Sequence, residues 1–342
     1  MQLSSAKRSG LAILVLATAL SGWSCKSRLL GESAIVVPET AELRSSTAKA
    51  SRSAGILKRG DIVDIVEKSE IAGEAYARVK TAGGADGWMV IRNLVTRKNA
   101  EKSKAIASEV IDIPAQAECR NRSSVKLRLS PEKTGDDNVI VQLPSGVTFE
   151  IIDRETRPKA PEKASPKATP KADADEQPGA SYEVWYKVRV KDNPIIPAGF
   201  VYAGSVDLDV PHEISYFFQE GKRIVGWQRL GMVKDDRGQE SYHYAVFQKS
   251  FNASDEKSDF DYLQVLGFDP KNKSVSYYNV MREAIRGVYP VKVKLDDRRT
   301  TFTFGALDQQ NQPHPVEYVV EHTEKGQLKA HKVTGSETPR RK

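Results

Sequence analysis

Residues that could act as nucleophiles, bases or metal ligands are spread thinly along this chain of 342 residues. None of the five histidines has the His-x-x-x-His or His-Glu-x-x-His spacing that holds a metal ion. The C-terminal third contains neither a Gly-x-Ser-x-Gly turn nor a phosphate-binding glycine loop. Cys119 has no histidine nearby in sequence, which argues against a cysteine peptidase. We therefore predict that the protein is not an enzyme and has no catalytic residue, metal site or cofactor.

One acidic cluster offers an alternative to this prediction. The cluster comprises Asp255, Glu256, Asp259 and Asp261. Carboxylates bind calcium, but this cluster lacks the glycine of the EF-hand loop. We favour a solvated acidic loop over a calcium site.

The first 25 residues have the pattern of an export signal. Lys7 and Arg8 precede a largely apolar segment of ten residues, Leu11 to Leu20, and a short stretch follows it. A segment of this length is too short for a membrane-spanning helix, which needs roughly 20 residues. The pattern favours a signal peptide over residues 1–25, with a buried N-terminal helix as the alternative.

Cys25 follows this signal and is the candidate site of covalent modification. The arrangement resembles the lipobox of bacterial lipoproteins, Leu-Ala/Ser-Gly/Ala-Cys, whose cysteine carries a diacylglyceryl anchor. Ser24 and Cys25 match, whereas Gly22 stands where leucine is usual and Trp23 is bulky. The resemblance implies lipidation at Cys25, with a membrane as partner. Ordinary peptidase cleavage a few residues earlier is the alternative.

Length and charge limit the number of domains and the classes of ligand. A chain of 342 residues suggests two or three domains. The formal net charge of +7 is compatible with loose attraction to anionic polymers or lipid headgroups. No dense basic stripe interleaved with aromatic residues is present, so we predict that the protein does not bind nucleic acid.

The sequence contains an internal repeat: the same succession of residue types occurs in residues 36–95 and in residues 119–208. In each copy a Leu-Arg step precedes a glycine turn, a strand, an aromatic-x-x-Val step and a glycine followed by an aromatic residue. The residues are Leu43, Arg44, Gly60, Tyr76, Val79, Gly87 and Trp88 in the first copy and Leu127, Arg128, Gly146, Trp185, Val188, Gly199 and Phe200 in the second. We expect a positive φ at Gly60 and Gly146, at the turn before the longest strand. The repeat predicts two similar β units.

This order resembles the bacterial SH3 domain family, whose pattern runs Leu-x-Arg-x-x-Pro, Leu-x-x-Gly-x-x-Val, Trp-x-x-Val and Gly-Trp-Val. Trp185 and Trp88 keep the family residue, whereas Tyr76 and Phe200 replace a tryptophan. The resemblance covers half the chain and implies two small barrels, for which we expect five strands each. It also implies that the barrels bind peptidoglycan, peptides or partner domains, or space a neighbouring domain.

Six residues of the two copies are candidate binding residues, namely Arg44, Tyr76, Trp88, Arg128, Trp185 and Phe200. Small units bury little surface, so we expect the four aromatic residues to fill the barrel cores, with Trp88 and Phe200 at equivalent positions. A groove lined by some of these side chains is the alternative.

The segments between and after the repeats differ in character. Residues 96–118 read as a linker, in which residues 97–108 form either a polar connection or a short helix. The Pro-Lys-Ala theme over residues 155–180 predicts a disordered insertion in the second barrel, either inert or in contact with an anionic polymer.

The C-terminal third predicts a further β domain. Alternating apolar residues between turn signals predict seven to nine short strands over residues 212–335, in an antiparallel barrel or sandwich, with a disordered tail at 336–342. Only Val280 to Ile285 has a pattern that would allow a brief helical turn. The predicted fold class is therefore all-β: two SH3-like barrels followed by a larger antiparallel β domain.

These expectations combine into one function. The chain is expected to be an exported, lipid-anchored protein of the cell envelope, on the periplasmic or outer-surface side, whose barrels bind peptidoglycan or an envelope protein. The alternative is a ligand-binding C-terminal β domain with the two barrels as spacers.

Replacing Cys25 with serine tests the anchor. We expect Cys25→Ser to move the protein from the membrane to the soluble fraction without unfolding it, because two or more acyl chains hold a protein firmly and none would remain. Metabolic labelling with a fatty-acid analogue, followed by fractionation, measures both effects. Absence of label from the wild type, or a serine variant that stays in the membrane, would show that the lipidation prediction is wrong.

Overall fold

The computed structural model describes residues 31–159, 182–234, 237–251, 256–270, 277–296, 299–322 and 328–333. These residues form three antiparallel sheets of seven strands each, and the predicted all-β class is confirmed. Residues 1–30, including Cys25, and most of the predicted insertion and tail lie outside the described residues. Within the described ranges, no helix is long and apolar enough to cross a membrane.

The first sheet, called barrel 1, spans residues 32–96 and curls around one apolar core. Its strands are Glu32–Val36 (β1), Thr40–Arg44 (β2), Ser53–Lys58 (β3), Ile62–Ile71 (β4), Glu74–Thr81 (β5), Asp86–Val90 (β6) and Leu94–Thr96 (β7). Their spatial order is β3-β2-β6-β5-β4-β1-β7. Alternation along each strand directs residues such as Val63, Val79 and Met89 inward, where they are buried.

The second sheet, called barrel 2, spans residues 117–208 and repeats this topology. Its strands are Ala117–Asn121 (β8), Val125–Arg128 (β9), Val139–Leu143 (β10), Thr148–Pro158 (β11), Tyr182–Val190 (β12), Ala198–Tyr202 (β13) and Val206–Leu208 (β14). Their spatial order is β10-β9-β13-β12-β11-β8-β14, which is the order of barrel 1 strand for strand. Gly60 and Gly146 have φ values of 91° and 83°, as expected for matching turns.

Two sequence-based expectations about the barrels need correction. Each barrel has seven strands rather than five, because a short strand precedes the expected start, as at Glu32–Val36, and another closes each unit. The insertion does not begin at residue 155, since β11 continues to Pro158 and pairs with β12 as far as Tyr182. Cross-strand pairs such as Glu155 with Trp185 hold this extension in the sheet.

A helix over Arg97–Glu109 (α1) joins the two barrels. Thr96 caps its N-terminus by accepting a hydrogen bond from the backbone N–H of Asn99. Ser103 is fully buried and bonds the backbone of Ala198 in β13 through both its donor and its acceptor. The segment between the barrels is therefore a docked helix rather than a solvated linker.

The third sheet is a simple meander in chain order. Its strands are Lys222–Lys234 (β15), Glu240–Ser250 (β16), Phe260–Phe268 (β17), Tyr277–Lys294 (β18), Arg299–Leu307 (β19), Pro313–His322 (β20) and Leu328–Lys332 (β21). The residues for which a helical turn was expected, Val280 to Ile285, lie within β18. Pairing with β17 decides their conformation, because the strand satisfies backbone groups that an isolated helical turn would leave exposed.

Barrel 2 and the third sheet share a hydrophobic core. From the third sheet this core includes Ile224, Trp227, Tyr244, Val246, Leu266 and Tyr277. Gln116, fully buried before β8, bonds both sheets through its backbone: its N–H donates to Ile151 and its carbonyl accepts from Trp227. Its side chain exchanges two hydrogen bonds with the backbone of Val291, at 2.8 and 3.2 Å. Barrel 2 and the C-terminal sheet are thus one packed unit.

A buried ion pair crosses the same contact. Arg154 of barrel 2 lies 3.2 Å from Asp259, and both side chains are less than a tenth exposed. Neighbouring Asp153 is partly buried, and this burial raises its pKa to about 6, against the opposing effect of the backbone N–H of Arg154. The Asp259 carboxylate adds to the increase. The folded protein therefore binds a proton at Asp153 more tightly than the unfolded chain does.

Asp153→Asn is expected to stabilise the protein at neutral pH. The folded-state pKa lies above the ordinary 3.8, so the stability from protonated Asp153 is present below about pH 4 and is lost as pH rises through about 6. Asparagine keeps a neutral side chain throughout, and we expect a gain of about 1–3 kcal/mol in the free energy of unfolding at pH 7.5 that disappears at pH 4. Urea unfolding at both pH values measures it, with exposed Asp64→Asn as control. An equal gain at both pH values would contradict the assignment.

Candidate functional site

The outer face of barrel 1 brings together the three candidate residues of the first repeat. Trp88 on β6 is the cross-strand partner of Arg44 on β2 and of Arg78 on β5, while Tyr76 on β5 pairs with Val90 on β6. Cross-strand partners project from the same side of a sheet, so these side chains form one surface. We call this surface, made of Arg44, Tyr76, Arg78, Trp88 and Val90, the outer face.

Trp88 does not fill the barrel core as the sequence suggested. Its side chain is half-buried on the outer face, and the next residue, Met89, occupies the core at 2% exposure. The reason is Gly87, where an added Cβ would lie 2.7 Å from the carbonyl oxygen of Arg44 and 2.8 Å from the Leu43 side chain. The Gly-Trp step therefore allows β6 and β2 to approach closely, and alternation then directs Trp88 outward.

Carboxylates hold the polar side chains of the outer face in place. Arg44 lies 2.7 Å from Glu42, and Arg78 makes a two-point contact with Asp86 at 2.8 and 3.0 Å. Such exposed pairs contribute little to stability, but a two-point contact fixes the plane of the guanidinium group. The result is an indole between two oriented cations.

Tyr76 extends this ordered network. Its hydroxyl donates a 2.9 Å hydrogen bond to Glu74, and that bond raises the tyrosine pKa. Glu74 in turn lies 3.0 Å from Arg92. The outer face therefore presents an aromatic surface with hydrogen-bonding groups at its border, a combination suited to a ligand with both apolar and polar parts.

The second repeat places its candidate residues on the corresponding face of barrel 2. Phe200 pairs with Arg128 and with Lys187, and Trp185 pairs with Tyr202. Here, however, the face is closed: the exposed fractions are 8% for Arg128, 1% for Trp185 and 7% for Phe200. Their side chains project from the other side of the sheet than those of the core residues Leu127, Val188 and Val201. Like Trp88, they therefore lie outside the central core.

Contacts among side chains account for part of this closure. The rings of Trp185 and Tyr202 meet edge to face at 5.6 Å. Lys133 lies 3.9 Å above the Tyr202 ring and 2.7 Å from Glu183. The equivalents of Trp185 and Tyr202 in barrel 1 are Tyr76 and Val90, which are smaller and leave the first face more open.

A cleft of about 970 Å³ lies between the two barrels and helix α1. Glu74, Val90 and Arg92 line one side, so the cleft continues from the border of the outer face. Basic residues predominate along it, namely Lys68, Arg92, Lys98, Lys102 and Lys126. This site could not be expected as long as residues 96–118 were interpreted as a linker. The spacing of Lys98 and Lys102, about one helical turn apart, was the sequence signal for a basic helix face.

The chemistry-bearing residues of the remaining structure have structural partners. Of the acidic cluster, Asp255 lies outside the described residues. Asp259 is buried and Asp261 accepts hydrogen bonds from Lys222 and from the backbone of Ser250, so this described part is not a solvated loop. His243 is buried and accepts a bond from the backbone of Phe268. Cys119 is buried in the core of barrel 2. Among the described residues, no group of three or more His, Cys, Asp or Glu is arranged to hold a metal ion.

No protein-family model matches the chain, and no curated protein sequence matches it. Among solved structures the chain is similar to NlpC2 from Trichomonas vaginalis, with 11% identity over 53% of this chain and 49% of that one, at a TM-score of 0.16. It is also similar to NlpC1 from the same organism, with 12% identity over 52% and 45%, again at 0.16. The chain thus spans about half the length of these structures. At these TM-scores the similarity supports no conclusion about function.

Gly87→Ala tests the origin of the outer face. We expect it to destabilise barrel 1 by about 1–3 kcal/mol, because β2 must move to admit the methyl group. Gly199→Ala should destabilise barrel 2 in the same way, because an added Cβ there would lie 2.8 Å from both the carbonyl oxygen of Arg128 and the Leu127 side chain. The control is Gly83→Ala, whose Cβ meets nothing nearer than 3.8 Å and is expected to be neutral or slightly stabilising. Amide hydrogen exchange within each barrel measures the changes, and equal effects at Gly87 and Gly83 would contradict the explanation.

Proposed function

We propose that this protein is an exported, lipid-anchored adaptor of the cell envelope, and that it binds cell-wall material or an envelope protein without catalysing a reaction. The outer face of barrel 1 is its binding surface. The observation that carries the proposal is the difference between two equivalent faces: Trp88 is only half-buried between two oriented arginines, whereas Trp185 and Phe200 are buried.

The composition of the outer face favours a ligand with sugar or peptide groups. An indole offers a flat apolar surface, and the guanidinium groups of Arg44 and Arg78 retain donors for carbonyl, hydroxyl or carboxylate oxygens. Because Glu42 and Asp86 already orient these groups, little side-chain entropy is lost on binding. Peptidoglycan contains both kinds of group, and so does a partner protein.

The third sheet is a less suitable binding domain. Aromatic rings fill its apolar core, with Phe302 and Tyr318 stacked at 5.1 Å and Phe260 and Phe304 in contact at 5.0 Å. A cavity of about 300 Å³ near Leu230 is at the lower limit of ordinary ligand pockets. The alternative function, in which the C-terminal domain binds the ligand and the barrels are spacers, is therefore not favoured.

Trp88→Ala tests the proposed surface. We expect it to weaken retention on purified peptidoglycan sacculi, or on an envelope extract from which a partner is captured, by about tenfold or more, since a central aromatic residue is the usual hot spot of a binding surface. The control is Tyr216→Ala, which removes an aromatic side chain that is 75% exposed elsewhere. Circular dichroism checks that both variants are folded. Equal retention of the two variants would show that the outer face is not the binding surface.

A further inference from the structure

The cleft between the barrels carries cations that the structure leaves unneutralised. Lys68 and Arg92 are paired with Glu32 and Glu74, at 2.6 and 3.0 Å. Lys98, Lys102 and Lys126 also line the cleft, and none of the three forms an ion pair with a described residue. The lining also includes Asp137. Five cations therefore stand against the three carboxylates of Glu32, Glu74 and Asp137, and the cleft has an excess of two positive charges for a ligand.

Two of these lysines are placed in a way that disfavours the helix. Lys98 and Lys102 are four residues apart on α1, and like charges at this spacing lie on one face of a helix and repel each other. The helix cannot rotate them away from the cleft, because Asn99 donates a 3.0 Å bond to the carbonyl of Val139 and Ser103 bonds Ala198. An anion bound between the two lysines would remove their repulsion.

The opposite wall of the cleft is the edge of a sheet. Strand β10 is the last strand on one side of barrel 2, and its residues Val139 to Gln142 line the cleft. One row of backbone groups in an edge strand points away from its sheet and can pair with an extended chain. Lys126 is the cross-strand partner of Gln142, so a cation lies beside this edge.

We infer that the cleft binds an extended acidic peptide segment of a partner protein. The peptide adds as a strand along β10, and its carboxylates lie against Lys98, Lys102 and Lys126. Backbone pairing provides part of the affinity, and the lysines select acidic side chains. The cleft shares Val90 with the outer face, but its lysines and strand β10 lie outside that surface, so the two sites can be tested by different substitutions.

The test uses a fluorescein-labelled peptide of sequence Val-Glu-Val-Glu-Val-Glu and the full chain, with fluorescence anisotropy as the readout. The triple variant Lys98→Gln, Lys102→Gln, Lys126→Gln should weaken binding by about tenfold, since three charge pairs with the peptide are lost. The matched control is Lys80→Gln, Lys104→Gln, Lys329→Gln, which removes the same charge from exposed lysines outside the cleft lining and should bind as the wild type does.

Three further measurements complete the test. The peptide with glutamine in place of glutamate should bind at least tenfold more weakly, and bound acidic peptide should slow amide exchange in residues 139–142. Loss of affinity in both triple variants alike would overturn the inference, because it would show attraction to overall charge. Binding of an inorganic polyphosphate without binding of the peptide, or binding of the peptide without protection of β10, would overturn it as well.

Discussion

The architecture depends on the polar contact that Gln116 makes between barrel 2 and the C-terminal sheet. This residue is fully buried, and its backbone and side chain together bond Ile151, Trp227 and Val291. A buried amide that lost these partners would carry the full cost of an unsatisfied polar group. The contact therefore admits one relative placement of the two sheets. The apolar residues of both then form a single core, and the Arg154–Asp259 ion pair is buried beside it.

The two barrels share their strand order but have diverged on one face. In both, a glycine lets two strands approach and directs the following aromatic residue outward. In barrel 2 a tryptophan, a phenylalanine and a tyrosine cover that face, with Lys133 above the tyrosine ring. In barrel 1 the corresponding positions hold a tyrosine, a tryptophan and a valine, and the surface remains partly open. Barrel 2 packs against the third sheet and α1 docks on it, while barrel 1 retains the surface on which the proposed binding rests.

The charged side chains have different surroundings in three parts of the protein: the outer face of barrel 1, the contact between barrel 2 and the third sheet, and the cleft. Ion pairs on the outer face of barrel 1 orient arginines, and ion pairs at the contact between barrel 2 and the third sheet are buried. The cleft between the barrels differs from both, because three of its lysines have no anionic partner among the described residues. The cleft thus has an excess of cations where the two barrels and helix α1 meet.

The sequence by itself determined the repeat and much of its local geometry. Alternating apolar residues and glycine turns predicted two matching β units, the positive φ of Gly60 and Gly146, and a β-rich C-terminal domain, because these features depend on neighbouring residues. Only the tertiary structure decided which face of a strand is covered. Trp88 and Met89 are adjacent in sequence, and the approach of β2 to β6 at Gly87 sends the methionine into the core. It also decided the conformation of residues 280–285, which follows from pairing with β17, and it created the cleft, whose lysines come from segments joined only by packing.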